Sequence, residues 1–317
     1  MDELKNASRI AINNCMAVKK GETVLIITDQ PLRKIGYALW EAAKEETTEA
    51  ILLEIIPRAS NGEEPPFPVA EFMKNFDVIL IPTSKSMTHT KARREACQKG
   101  ARIATLPGIL EETMKRTLSA DYGKIAERCE KIANALKEGK KAKVTTPFGT
   151  DITLSLETRN WEVDNGLYHN PGNFGNLPAG EVYIAPLEGT ANGTIVVDGA
   201  MAGLGIMKKA IKLIVKDGFV TEISGGKEAE QLEKLIEPFG KDARNVAELG
   251  IGTNDKAKIC GSVLEDEKVM GTVHMAIGDN KSMGGVVSVP SHLDGILSKP
   301  TLEIDGKIIM KDGALKI

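Results

Sequence analysis

The sequence predicts an α/β domain with a doubly wound, mainly parallel sheet, followed by an α+β domain with antiparallel sheet. Three observations carry this. Apolar strands and amphipathic helices alternate up to about residue 137; a charged stretch, Lys137–Lys143, interrupts them; and short β-like runs punctuated by Asp-Gly turns follow it. A chain of 317 residues is long for one hydrophobic core, so two domains are expected, 1–140 and 141–317.

The elements can be justified in order. Leu4, Ala7, Ile10, Ala11, Cys15 and Val18 recur at helical spacing over residues 3–19, and Lys19-Lys20-Gly21 closes that segment. Thr23–Thr28 (TVLIIT) reads as a buried strand, 32–46 as a helix, Ala50–Ile55 as a strand and Val78–Ile81 as another. Residues 91–99 read as a helix, Ala101–Thr105 as a short strand, and 110–137 as one or two helices. That order implies a parallel sheet covered on both faces. In the second half, β runs are expected at 142–145, 151–157, 181–185, 193–197, 210–215, 219–223, 271–276, 286–289 and 301–304. Asp217-Gly218 and Asp305-Gly306 mark hairpins, and one amphipathic helix spans roughly Lys227–Phe239.

Composition narrows the function. Hydrophobic residues at 42% and charged residues at 27% are those of a globular chain, which excludes a disordered or fibrous one. A net charge of −3, with both signs interspersed, offers no electrostatic footprint for nucleic acid. The start, MDELKNASRI, has no apolar core for a secretory signal, and no run approaches the ~18 apolar residues of a membrane span. A cytoplasmic protein is expected. Cys15, Cys97, Cys129 and Cys260 are far apart and form no CxxC pair, so free thiols are expected rather than disulfides or a cysteine zinc site. Many Lys and Glu residues beside four Tyr and two Trp lean towards a thermophilic source.

The first half lacks the sequence of a cofactor site. Asp29-Gln30-Pro31-Leu32 after the first strand has no glycine fingerprint, and no GxxxxGK[ST] occurs, so neither a dinucleotide nor an NTP is expected. Scaffold and substrate wall is the reading. Ser84–Thr90 (SKSMTHT) follows a strand end, where an α/β sheet offers loops to ligands, and His89 there is a candidate substrate contact. Lys91–Glu95 (KARRE) reads as a solvated helix face.

The chemistry concentrates later. Of four histidines, His274 lies in GTVHMAIG and His292 in PSHLDG. His292 and Asp294, at i and i+2, point to the same side of an extended chain and can grip one cation or a close pair. With His274 they offer two nitrogens and one carboxylate, a set that suits zinc or another borderline divalent metal, or Fe(II). Glu181 and Glu248 sit in apolar, glycine-rich surroundings; buried carboxylates need a partner, and a divalent cation is one. Glu265, Asp266 and Glu267 read as a turn rather than ligands.

Four motifs, LPAGEVYIAP (177–186), VAELGIGTN (246–254), GTVHMAIGD (271–279) and SHLDG (291–295), together resemble the thermophilic-type metalloaminopeptidases of peptidase family M29. The resemblance covers roughly 175–295 and implies two divalent metals per chain (Zn, Co or Mn) held by Glu181, Glu248, His274, His292 and Asp294. It also implies an N-terminal α/β domain and a homodimer. One position departs: where the family carries a tyrosine seven residues after the first ligand histidine, this chain has Lys281. The related 2,5-dihydroxypyridine dioxygenases share fold and motif order, and hold one Fe(II) with the corresponding His274, His292 and Asp294.

The main expectation is therefore an aminopeptidase that removes N-terminal residues from small peptides. A metal-activated water would attack the peptide, Glu181 or Glu248 would bridge the metals or take its proton, and Lys281 would stabilise the oxyanion. The alternatives are an Fe(II) ring-cleaving dioxygenase, with Glu248 as an acid–base group and His169 as base to a ring hydroxyl, or a binding protein that has lost catalysis.

Overall fold

The computed structural model describes residues 2–317. The chain forms two compact units, Met1–Ala126 with Asp164–Ala179, and Glu127–Val163 with Gly180–Ile317. The expected fold class is the one observed: a parallel sheet in the first unit and antiparallel sheets in the second.

The first unit is built on five parallel strands in the order Ala50–Ile55, Val24–Asp29, Val78–Ile81, Arg102–Thr105 and Phe174–Asn176. Every residue of the three central strands is buried, as expected where helices cover both faces. Leu25, Ile27, Ile79, Ile81 and Ile103 project to one face, into a core with Met73, Ala92 and Ala96. Helix Arg33–Glu46 packs on the strands Val24–Asp29 and Ala50–Ile55, and helix Glu3–Ile10 packs on it. The segment expected as one helix over 3–19 is α-helical to Ile10 and continues as a π-turn over Ala11–Cys15. Helices at Glu111–Thr117 and Tyr122–Leu136 occupy the stretch read as one or two. The edge strand Phe174–Asn176 was not anticipated: three residues bounded by glycine and proline carry almost no periodic signal.

The second unit holds two antiparallel sheets. One has eight strands, closed by the two expected hairpins. At their turns Asp217 and Gly218, and Asp305 and Gly306, all have φ between 48° and 81°, the left-handed pair that suits the strand twist. The other has seven strands, with Ala200–Met201, His292–Leu297, Val273–Gly278, Val246–Gly252 and Glu181–Ile184 as consecutive neighbours. Residues 286–289, expected as a strand, are irregular. Their amides donate to side chains instead of a ladder: Val286 N to Glu188, Val287 N to Asn280 and Val289 N to Asp279.

Candidate metal centre

Sheet register brings the five expected ligands together. Glu181 pairs with Gly252, His274 with Gly250, Asp294 and Glu248 both with Ala276, and His292 with Gly278. Directly paired residues share a face, and alternate residues along a strand do too, so Glu181, Glu248, His274, His292 and Asp294 all project from one face. The positions between them on that face are Gly250, Gly252, Ala276 and Gly278, which leave room. Gly250 is the tightest case: a Cβ there would lie 1.9 Å from His274 Nε2, so the imidazole lies over bare backbone.

The side chains interlock. Glu248 stands between the histidines, with Oε1 3.1 Å from His274 Nε2 and Oε2 3.2 Å from His292 Nε2. His274 Nε2 is also 3.3 Å from Glu181 Oε2, and His292 Nε2 is 3.5 Å from Asp294 Oδ1. Two overlapping sets can each hold a cation: Glu181, Glu248 and His274, and Glu248, His292 and Asp294. His274 is fully buried and the three carboxylates nearly so, while the side chain of His292 is only partly buried. The Nδ1 of His292 lies 2.7 Å from the carbonyl oxygen of Asp279. Donating there turns Nε2 towards the carboxylates, the usual second contact of a metal-ligating imidazole.

Without a cation the centre is held by protons. Burial works against the charge of Glu248, but hydrogen bonds from His274 and His292 outweigh it and hold the carboxyl well below its usual range. The histidines respond in kind. Burial opposes their charge, yet Glu181 and Glu248 raise His274, and Asp294 and Glu248 raise His292, far above the ordinary imidazole value. His274 Nδ1 is buried without a hydrogen-bond partner, and Glu181 Oε2 has only the 3.3 Å approach of His274 Nε2. Mixed nitrogen and carboxylate donors in a buried, carboxylate-rich cluster fit a borderline divalent metal.

The other expected residues lie elsewhere. Lys281 is exposed, in the short turn Lys281–Met283 after the His274 strand. His169 is exposed in the first unit, its Nε2 2.7 Å from the carbonyl oxygen of Asn14. His89 is an exposed residue of the same unit, and its carbonyl accepts from Arg94. Glu265 and Asp266 serve the local turn, accepting from the amides of Lys258, Cys260 and Gly261. Sequence reasoning missed Lys268. This side chain is fully buried, with Nζ 2.6 Å from Glu181 Oε1 and 2.5 Å from Glu267 Oε1. No local signal was available, since Lys268 ends the charged run Glu265-Asp266-Glu267-Lys268, which reads as a solvated turn.

The family profile of NicX, 2,5-dihydroxypyridine 5,6-dioxygenase, matches residues 3–317. The chain belongs to that family. Among curated proteins, the 2,5-dihydroxypyridine 5,6-dioxygenase of Pseudomonas putida is 25% identical over 247 residues, covering 74% of this chain and 70% of the relative. The solved 2,5-dihydroxypyridine dioxygenase structure from Pseudomonas putida KT2440 superposes with a TM-score of 0.85 at 19% identity, over 98% of this chain and 96% of that one. Wild-type AmpT of Thermus thermophilus matches with a TM-score of 0.73 at 17% identity, over 99% of both chains. Likenesses at such identity establish the fold and no more. Membership of the 2,5-dihydroxypyridine dioxygenase family overturns the main sequence-based expectation. The aminopeptidase, hydrolase and metalloprotease readings are set aside in favour of an oxidoreductase. The physical reason is that a set of imidazole and carboxylate donors suits zinc-like ions and Fe(II) alike, so the motifs by themselves do not choose between hydrolysis and oxidation. Among the described residues, no helix is long and apolar enough to cross a membrane.

Proposed function

We propose that the chain is a metal-dependent dioxygenase that cleaves the ring of a dihydroxypyridine, with one Fe(II) held by His274, His292 and Asp294. The match of the dioxygenase family over residues 3–317 carries this reading, and the five polar side chains on one sheet face support it. Bound Fe(II) would supply the open coordination positions and redox chemistry that let molecular oxygen react with an electron-rich ring.

The chain's own residues prepare that chemistry. Asp279 fixes the ring of His292 through its carbonyl oxygen, so Nε2 enters the centre without a search over rotamers. Gly250 admits the His274 imidazole at a depth no larger residue allows. Glu248 reaches both histidines, and its carboxylate is assigned the acid–base role toward a ring hydroxyl once the histidines bind the metal. Burial of His274, Glu181 and Glu248 excludes bulk water around these groups.

The test is oxygen uptake. Protein reconstituted with Fe(II) under anaerobic conditions is mixed with 2,5-dihydroxypyridine in air-saturated buffer, and oxygen and ring absorbance are followed together. Consumption of one oxygen molecule per ring is expected. An iron-loaded protein that consumes neither would reject the reading.

A further inference from the structure

Lys268 is an unusual occupant of this centre. Lysine is almost never fully buried unless paired, and here the partner carboxylates are Glu181 at 2.6 Å and Glu267 at 2.5 Å. Which carboxylate it holds decides its consequence. The two candidate cation sets share Glu248, but Glu181 belongs to only one of them. One oxygen of Glu181 is thus committed to an ammonium, while in the other set His292 pairs with both Asp294 and Glu248.

Resting on the metal-centre reading above, we propose that Lys268 takes the place of a second cation and limits the centre to one metal ion. The argument is one of charge and reach. A metal ligated by Glu181 Oε2, the oxygen that faces His274, at a bond length of about 2.1 Å, would lie within about 7 Å of the ammonium on Oε1. Two positive groups that close, away from water, repel strongly. Glu181 also has less charge left to offer a metal while Lys268 holds it. The ligand pattern is therefore that of a two-cation site in which one cation is a side chain. With the single ion drawn to the histidines and Asp294, Glu181 serves as the counter-ion of Lys268.

The count of bound metal tests this without reference to turnover. Wild type, Lys268→Arg, Lys268→Asn and the double variant Lys268→Asn/Glu267→Gln are loaded with excess Mn(II), and separately with Fe(II) under anaerobic conditions. They are then desalted and analysed for metal per chain, and the Mn(II) forms are examined by electron paramagnetic resonance. Wild type and Lys268→Arg are expected to hold one ion, with the six-line spectrum of isolated Mn(II). Lys268→Asn is expected to hold two, with an exchange-coupled spectrum, and adding Glu181→Gln should return the count to one. The double variant removes the buried Glu267 carboxyl along with its ammonium partner, so it keeps the test open if the single variant does not fold. Two ions or a coupled spectrum in wild type would overturn the proposal directly. So would one ion in every folded variant in which Asn replaces Lys268. No ion in wild type would overturn the metal-centre reading and this inference with it. One ion per chain without oxygen uptake would count against the dioxygenase reading and leave the role of Lys268 standing.

Discussion

The two units bury charge in opposite ways. In the first, the central strands are mostly apolar, and a prominent buried charge, Arg102, is fully matched. Its guanidinium binds Glu22 through both oxygens, at 2.9 and 2.7 Å, and donates to the carbonyl of Met16 at 3.2 Å. In the second, the central strands carry Glu181, Glu248, His274 and Asp294 in their interiors, with Lys268 beside them. These groups satisfy one another only in part, since His274 Nδ1 has no hydrogen-bond partner and Glu181 Oε2 only a 3.3 Å ionic contact with His274. A closed, bidentate pair is structural. A cluster with spare lone pairs is one that expects a ligand.

Breaking the closed pair should cost the most stability. Arg102→Met strands Glu22 and is expected to lower unfolding free energy by about 3 kcal/mol, the low end for a buried pair because Glu22 still reaches solvent. Metal content should not change. Denaturant melts and elemental analysis check both, and a variant that loses its metal while staying folded would dissolve the contrast.

Removing a ligand should do the reverse. His274→Ala is expected to weaken metal binding by at least about 100-fold, beyond the loss typical of an outer partner of a ligand, with oxygen uptake falling in parallel. Calorimetric titration with Mn(II) measures it, and unchanged affinity would remove His274 from the ligand set.

Gly250→Ala probes the room that the sheet leaves. Its methyl group would meet His274 Nε2 at 1.9 Å, so the imidazole must turn away. A stability cost of about 1–3 kcal/mol and weaker metal binding are expected together. A variant with native affinity would mean that the ring does not need its place over Gly250.

The remaining two effects are in pH, and they differ in sign. Hydrogen bonds from Arg102 hold Glu22 below the usual carboxylate range. Its folded value lies under its unfolded one, so its contribution is present above about pH 4.5 and is lost as pH falls through the folded value. Glu267 is pushed up to about 8, chiefly by burial, with Lys268 acting against the rise. The folded state keeps a proton that the unfolded chain releases, so metal-free stability should decline as pH rises from about 4.5 to 8. Thermal melts of metal-free protein against pH measure both. Glu22→Gln should flatten the acid limb and Glu267→Gln the alkaline one, and a Glu267→Gln profile identical to wild type would refute the second assignment.

Much of the scaffold was legible because it rests on local periodicity. The strands Ala50–Ile55 and Val78–Ile81 and the turns at Asp217-Gly218 and Asp305-Gly306 followed from apolar runs and turn chemistry alone. Strand Val246–Gly252 was harder to see, since two glycines dilute its pattern; only the imidazole across the sheet explains Gly250. The segment 286–289 has the residues of a strand, yet its amides are claimed by Glu188, Asn280 and Asp279, the first of them about a hundred residues away in the chain.

By itself, then, the sequence determined the two kinds of sheet and nominated five polar residues for a metal, because spacing along a strand fixes which side a residue faces. Tertiary structure alone decided which of the glycines make room for them, and that Lys268 joins them against Glu181. Those outcomes depend on register between strands and on a side chain arriving from outside the sheet, and neither is written in any local window of residues.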